Sequence, residues 1–108
     1  MAFGVTSEVK DQVAEVTLSG ELDAGSAPEL QEELTKILEG DIKQLVLNVK
    51  DLQFMASAGI RMLIFAKQKK GTDLDVYVIA PQDQIKDLLT RTGLLSSFIV
   101  QDEYSPEN

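Results

Sequence analysis

A serine and an arginine four residues apart, Ser57 and Arg61, are the pair in this sequence whose types and spacing point most directly to chemistry. Ser57 is the only hydroxyl-bearing residue between Leu52 and Gly71, and it opens a stretch that reads as helix after a nearly continuous aliphatic strand, Leu45 to Val49. A hydroxyl at a helix N-terminus can cap the helix, a contribution of about 1 kcal/mol. It can also accept a phosphoryl group, which the positive end of the helix dipole favours. A phosphate there adds about −1.5 to −2 charges. Arg61, one turn later, lies on the same side of the helix to meet it. The residues alone leave both roles of Ser57 open.

Other chemistry is excluded by what the chain lacks. It has no histidine and no cysteine, which removes imidazole bases, catalytic triads, phosphohistidine, disulfides, thiolate nucleophiles and His- or Cys-ligated metals. No GxxxxGK[ST], GxGxxG or calcium-loop pattern occurs. The acids Glu29, Glu32 and Glu33 cluster on one helix and read as a solvated face, while Asp73 and Asp75 flank a strand start and make a poor metal pair. No catalytic constellation remains, so the sequence predicts a protein that is not an enzyme and takes no cofactor.

The 108 residues suffice for one domain with a real core. Net charge is −8 and the pI near 4.4, which argues against a nucleic-acid partner. The longest apolar runs fall far short of a membrane span, and the N-terminus lacks the basic and apolar parts of a signal peptide. A soluble cytoplasmic protein is expected. The charge is uneven: Leu52 to Thr72 carries Arg61, Lys67, Lys69 and Lys70 and no acid, +4 in all, leaving −12 on the remainder. The three lysines sit where a helix C-terminus favours cations. Arg61 does not.

The elements that must position these residues follow from periodicity. A weak strand, Phe3 to Val9, and a polar turn, Lys10 to Gln12, precede the alternation of Ala14, Val16 and Leu18 with Glu15, Thr17 and Ser19, which predicts a hairpin. Gly20 to Gly25 is expected to break the second strand. Ser26 and Glu29, three apart with Pro28 between them, read as a capping box opening a helix that carries Leu30, Leu34, Ile37 and Leu38 on one face and stops at Gly40. The strand Leu45 to Val49 follows, then a helix from about Ser57 to Lys70 ended by Gly71. A strand over 73–80, a helix with Ile85, Leu88, Leu89 and Thr92 stopped by Gly93, and a short strand Phe98 to Val100 complete the order. The alternation predicts right-handed crossovers and an α/β sheet of mixed direction. Residues 1–101 are expected to form the domain and 102–108 a flexible tail.

In the second helix Ile60, Leu63, Ile64 and Lys67 share one face, yet Met62 and Phe65 lie off it, with Ala58 and Ala66 beside them. A helix apolar on all sides is either deeply buried or reserves a face for something else. Met62 and Phe65 are therefore candidates for a partner surface, with core packing the alternative.

Gly20-Glu21-Leu22-Asp23 before a capped helix, then Asp51-Leu52-x-Phe54-Met55-x-Ser57-x-Gly59-Ile60 after a central strand, resembles the STAS domain of anti-sigma-factor antagonists. Leu89-Thr90-Arg91-Thr92-Gly93-Leu94 fits that family's third helix, and the resemblance runs from about Val5 to Val100. It implies a STAS-like α/β single domain, with a mixed sheet of about five strands, an N-terminal hairpin and three α-helices. It also implies partner switching. The unphosphorylated antagonist binds an anti-sigma factor that is a serine kinase. That kinase uses ATP to phosphorylate the serine matching Ser57, and the complex dissociates. A metal-dependent PP2C-type phosphatase restores the binding form.

Asp23 matches a family aspartate beside the phosphorylated serine, its plain alternative being a turn residue ahead of the first helix. The implied partner surface comprises Asp23, Ala58, Gly59, Arg61, Met62 and Phe65. The family's usual Asp-Ser-Ser/Thr-Gly-Leu-Gly is replaced here by Ala56-Ser57-Ala58-Gly59-Ile60-Arg61. Ala56 removes an acidic neighbour, Ala58 removes a second hydroxyl, and Arg61 stands where a small residue is usual. A constitutive STAS scaffold or accessory subunit of a regulatory or transport complex, with Ser57 a plain helix cap, is the rival reading, and a small-ligand or anion receptor at the same helix terminus is a third.

Overall fold

The computed structural model describes residues 3–70 and 74–104. These form five strands and three α-helices: β1 (Gly4–Lys10), β2 (Val13–Leu22), α1 (Ala27–Leu38), β3 (Gln44–Met55), α2 (Ser57–Lys70), β4 (Asp75–Ile79), α3 (Asp83–Arg91) and β5 (Ile99–Gln101). A short 3-10 turn, Leu94–Ser97, which the sequence did not suggest, separates α3 from β5. It enters through Gly93 at φ 74°, a left-handed conformation that glycine adopts without steric cost.

The strands lie in the order β1-β2-β3-β4-β5, with β1 antiparallel to β2 and every other neighbour parallel. Asp11 and Gln12 close the hairpin with φ of 52° and 68°, the pair of positive values that a two-residue turn needs to match strand twist. From β2 onward, order in space equals order in sequence. Right-handed crossovers then carry all three helices over the same face. There they cover the strand side chains Ala14, Val16, Leu18, Leu45, Leu47, Val49, Val76 and Val78. Leu30 and Leu34 of α1, Ile60 and Leu63 of α2, and Ile85 and Leu89 of α3 complete that core.

The opposite face carries a smaller cluster of Val46, Tyr77 and Ile79. Tyr104 closes over it, its ring meeting that of Tyr77 edge-on at 5.1 Å and its hydroxyl bonded to the Gln44 side chain. Burial, with Tyr77 and Glu15 nearby, pushes the Tyr104 phenol above its ordinary value.

Two expected loops are strand. β2 does not end at Ser19 but continues through Gly20 to Leu22, and β3 does not end at Val49 but runs on to Met55. The extensions pair with each other, Ser19 with Asp51, Gly20 with Leu52, Glu21 with Phe54 and Leu22 with Met55. Register shifts fall at Thr17/Ser19 and Gly20/Glu21, and Gly20 absorbs the irregularity at φ 81°. β4 pairs only with Gln44 to Asn48, so the far half of β3 overhangs the sheet. Side chains from the α3 end support this free edge: the Gln82 amide donates to the Lys50 carbonyl at 3.2 Å, and the Gln84 amide donates to that of Gln53. The remaining boundaries differ from expectation by one or two residues; β4 begins at Asp75, and the expected stop at Gly71 lies outside the described residues.

Candidate functional site

The overhang of β2 and β3 builds the site. β2 delivers the chain to Asp23, β3 delivers it to Ala56, and the Ala56 N–H donates to the Leu22 carbonyl at 2.8 Å. The loop ahead of α1 and the first turn of α2 are thereby fixed to each other, which brings the Asp23 and Ser57 segments together.

Asp23 organises its own loop. Its Oδ1 accepts the N–H groups of Gly25 and Ser26, each at 3.0 Å. The Ser26 hydroxyl lies 3.1 Å from that oxygen and 2.9 Å from the Glu21 carbonyl, with one proton for the two acceptors, and it accepts the Asp23 N–H at 2.9 Å. The Ser26 donors, backbone first, hold the Asp23 carboxyl below its ordinary value, against a smaller opposing effect of desolvation. The expected capping box is therefore incomplete. The Ser26 carbonyl does accept from Glu29 and Leu30, as a cap residue should, but its hydroxyl makes no cap bond because it turns back to the Glu21–Asp23 segment.

At α2 the cap falls one residue earlier than the sequence suggested. The Ala56 carbonyl accepts the N–H groups of Gly59 at 2.9 Å and Ile60 at 3.3 Å, so Ala56 holds the cap position and Ser57 is the first helical residue. Ser57 is exposed. Its hydroxyl has no hydrogen-bond partner among the described residues, and the plain cap role does not describe it. The long-range bond from Ala56 to Leu22 is what sets this frame.

Gly59 is buried behind this turn. A Cβ on it would stand 2.7 Å from Met55 Cγ and 2.8 Å from Leu22 Cδ2. Its lack of a side chain is what allows α2 to lie so close to the ends of β2 and β3. The buried line of α2 runs Ile60, Leu63, Ala66, with Ile64 only half-buried. Ala58, Met62 and Phe65 are partly buried against the main core, while Arg61 is exposed. The structure thus brings Asp23, Ser57, Ala58 and Arg61 to one end of the molecule. It sets Met62 and Phe65 further along α2, half-covered.

Phe54 escaped the sequence reading as a surface residue. It is 47% exposed, three positions before Ser57. It borders a groove with Met55, Ile85 and Leu88, rimmed by the Asp87–Arg91 ion pair at 2.9 Å. Alternation along β3 would not have found it, because Leu52, two residues earlier, is buried where the register of β2 against β3 shifts.

Among the described residues no cluster of three or more acids is placed to hold a metal, and no helix is long and apolar enough to cross a membrane.

This architecture defines a class. A STAS domain model matches residues 5–105, and the chain belongs to the STAS domain family. Among its relatives is the anti-sigma-B factor antagonist of Staphylococcus aureus (strain NCTC 8325 / PS 47), 28% identical over 95 residues, 87% of this chain and 88% of the relative. A crystal structure of an anti-sigma factor antagonist from Mycobacterium paratuberculosis superposes with a TM-score of 0.86 at 24% identity, covering 94% of this chain and 87% of that one. The Bacillus cell fate determinant SpoIIAA in its phosphorylated form shares the fold at a TM-score of 0.72 and 18% identity, with 94% and 93% covered.

Proposed function

We propose that this STAS domain is an anti-sigma-factor antagonist that works by partner switching. Unphosphorylated, it binds an anti-sigma factor that is also a serine kinase, and so frees a sigma factor. The kinase then transfers the γ-phosphoryl group of ATP to the Ser57 oxygen, with loss of the hydroxyl proton and release of ADP, and the complex separates. A PP2C-type phosphatase, carrying its own divalent metal, hydrolyses the phosphoserine and restores the binding form. The chain is the substrate of this cycle and not its catalyst, and the cycle runs in the cytoplasm without nucleic acid or membrane as a direct partner.

One observation carries the reading: Ser57 presents an exposed hydroxyl at the first position of α2, with the cap role already filled by Ala56. The printed role of the staphylococcal relative supports the partner class. Asp23, Ala58, Arg61, Met62 and Phe65 form the contact surface together with Phe54, and Gly59 acts from behind by letting α2 sit where it does.

A binding comparison tests the reading. Ser57→Ala should retain a protein that, isolated, phosphorylates the wild-type chain with ATP, and Ser57→Asp should release it. Equal retention by both variants contradicts partner switching at Ser57.

A further inference from the structure

We infer that Arg61 is an internal clamp for a phosphate on Ser57, so that phosphorylation both charges the surface and withdraws its arginine. The inference rests on the partner-switching reading for its biological setting, but its geometry stands separately. Ser57 and Arg61 are both exposed on α2, four residues apart with the serine nearer the N-terminus. α3 supplies the same arrangement already formed: Asp87, four residues before Arg91, holds that guanidinium at 2.9 Å. A phosphoserine at position 57 places anionic oxygens in the corresponding place relative to Arg61, on a side chain at least as long as aspartate. Guanidinium suits such oxygens because its paired N–H groups match them in spacing and plane.

Arg61 is also available. In a chain with 18 acids and 10 bases, it makes no ion pair among the described residues, whereas Arg91 is paired. Leu52 to Thr72 carries no acid to compete for it. Asp23, the carboxylate in the adjoining loop, bonds Gly25 and Ser26 through Oδ1 and makes no ion pair with Arg61 among the described residues. In the unphosphorylated protein the free guanidinium can meet a carboxylate on the partner. In the phosphorylated protein it is taken up at home, while the added charge is held close to the helix without disturbing the fold. The switch then acts through two side chains instead of one.

The test installs phosphoserine at position 57 during translation and follows its phosphorus resonance against pH at low salt. Wild type, Arg61→Gln and Arg61→Lys are compared. The second ionisation of the phosphate, ordinarily near pH 6, should fall about 0.3 unit lower in wild type than in Arg61→Gln, with Arg61→Lys between them. All three share the α2 terminus and the Asp23 carboxylate, so the difference isolates residue 61. Coincident titrations, within about 0.1 unit, overturn the clamp. Because the phosphate is installed without a kinase, that result leaves the partner-switching reading standing. A chain never phosphorylated in its own cells overturns that reading and leaves the clamp to be judged by the titration.

Discussion

The Leu22 carbonyl accepts the Ala56 amide at 2.8 Å, and this bond ties the end of β2 to the start of α2. On one side of it stands the Asp23 loop, on the other Ser57. A segment that reads as loop in the sequence is thus held as firmly as sheet. The first turn of α2, and with it the backbone of Ser57, is therefore held in a fixed place relative to the Asp23 loop.

The position of Ser57 in its helix has a direct consequence for stability. Because its hydroxyl caps nothing, Ser57→Ala should change unfolding free energy by no more than about 0.5 kcal/mol. Ser26→Ala should lose about 1–2 kcal/mol, since that hydroxyl bridges Glu21 and Asp23. Denaturant melts of the two variants side by side decide it, and a larger loss at position 57 than at 26 contradicts the assignment.

Gly59 should tolerate no methyl group. A Cβ 2.7 Å from Met55 Cγ and 2.8 Å from Leu22 Cδ2 forces α2 away from the strand ends. Gly59→Ala should destabilise by about 1–3 kcal/mol, as overpacked cores do. The melting temperature should drop by roughly 5 °C for each kcal/mol in a domain of this size. An unchanged melting temperature shows that the helix can shift freely.

Asp23 makes the fold sensitive to acid in a defined window. Its carboxyl is held below the ordinary value by Ser26 and Gly25. The ionised form therefore favours the native loop at any pH above the unfolded-state value of about 3.9, and that contribution disappears as pH falls through the lower native value. Asp23→Asn should flatten the dependence of stability on pH below about pH 4. Chemical denaturation across this range reads the slope, and identical slopes in the two proteins contradict the linkage.

Phe54 should matter for binding and little for folding. At 47% exposure, its replacement by alanine should leave stability within about 1 kcal/mol. The dissociation constant for the proposed anti-sigma partner should rise at least about fivefold, as expected when an aromatic anchor is lost. Titration calorimetry with the purified partner measures it. Unchanged affinity removes Phe54 and its groove from the interface.

The sequence made the first helix and the second strand legible because each obeys one period. Leu30, Leu34 and Leu38 repeat at helical spacing, and Ala14, Val16 and Leu18 alternate. The strand extensions were hidden because their pattern breaks. Leu52 and Met55 are buried three residues apart, with exposed Gln53 and Phe54 between them, where the register of β2 against β3 shifts. Gly20 reads locally as a strand breaker and serves here as the residue that lets the strand pass through an irregularity. The cap of α2 was misplaced by one residue for a related reason. Serine is the better cap by type, but the Leu22 carbonyl, far off in the sequence, decides which residue stands there. Ser57, Asp23 and Arg61 were legible as candidates from type and spacing. That Asp23 is engaged within its own loop, while Arg61 makes no ion pair among the described residues, depends on three-dimensional neighbours that no local pattern records.

Intact-mass spectrometry of the chain purified from the cells that make it shows directly whether Ser57 is phosphorylated. Partner switching at Ser57 predicts a fraction heavier by one phosphate, mapped to Ser57 by fragmentation and absent from Ser57→Ala, in a proportion that changes with growth and stress. An unmodified mass under every condition, or a phosphate on another residue, would contradict it.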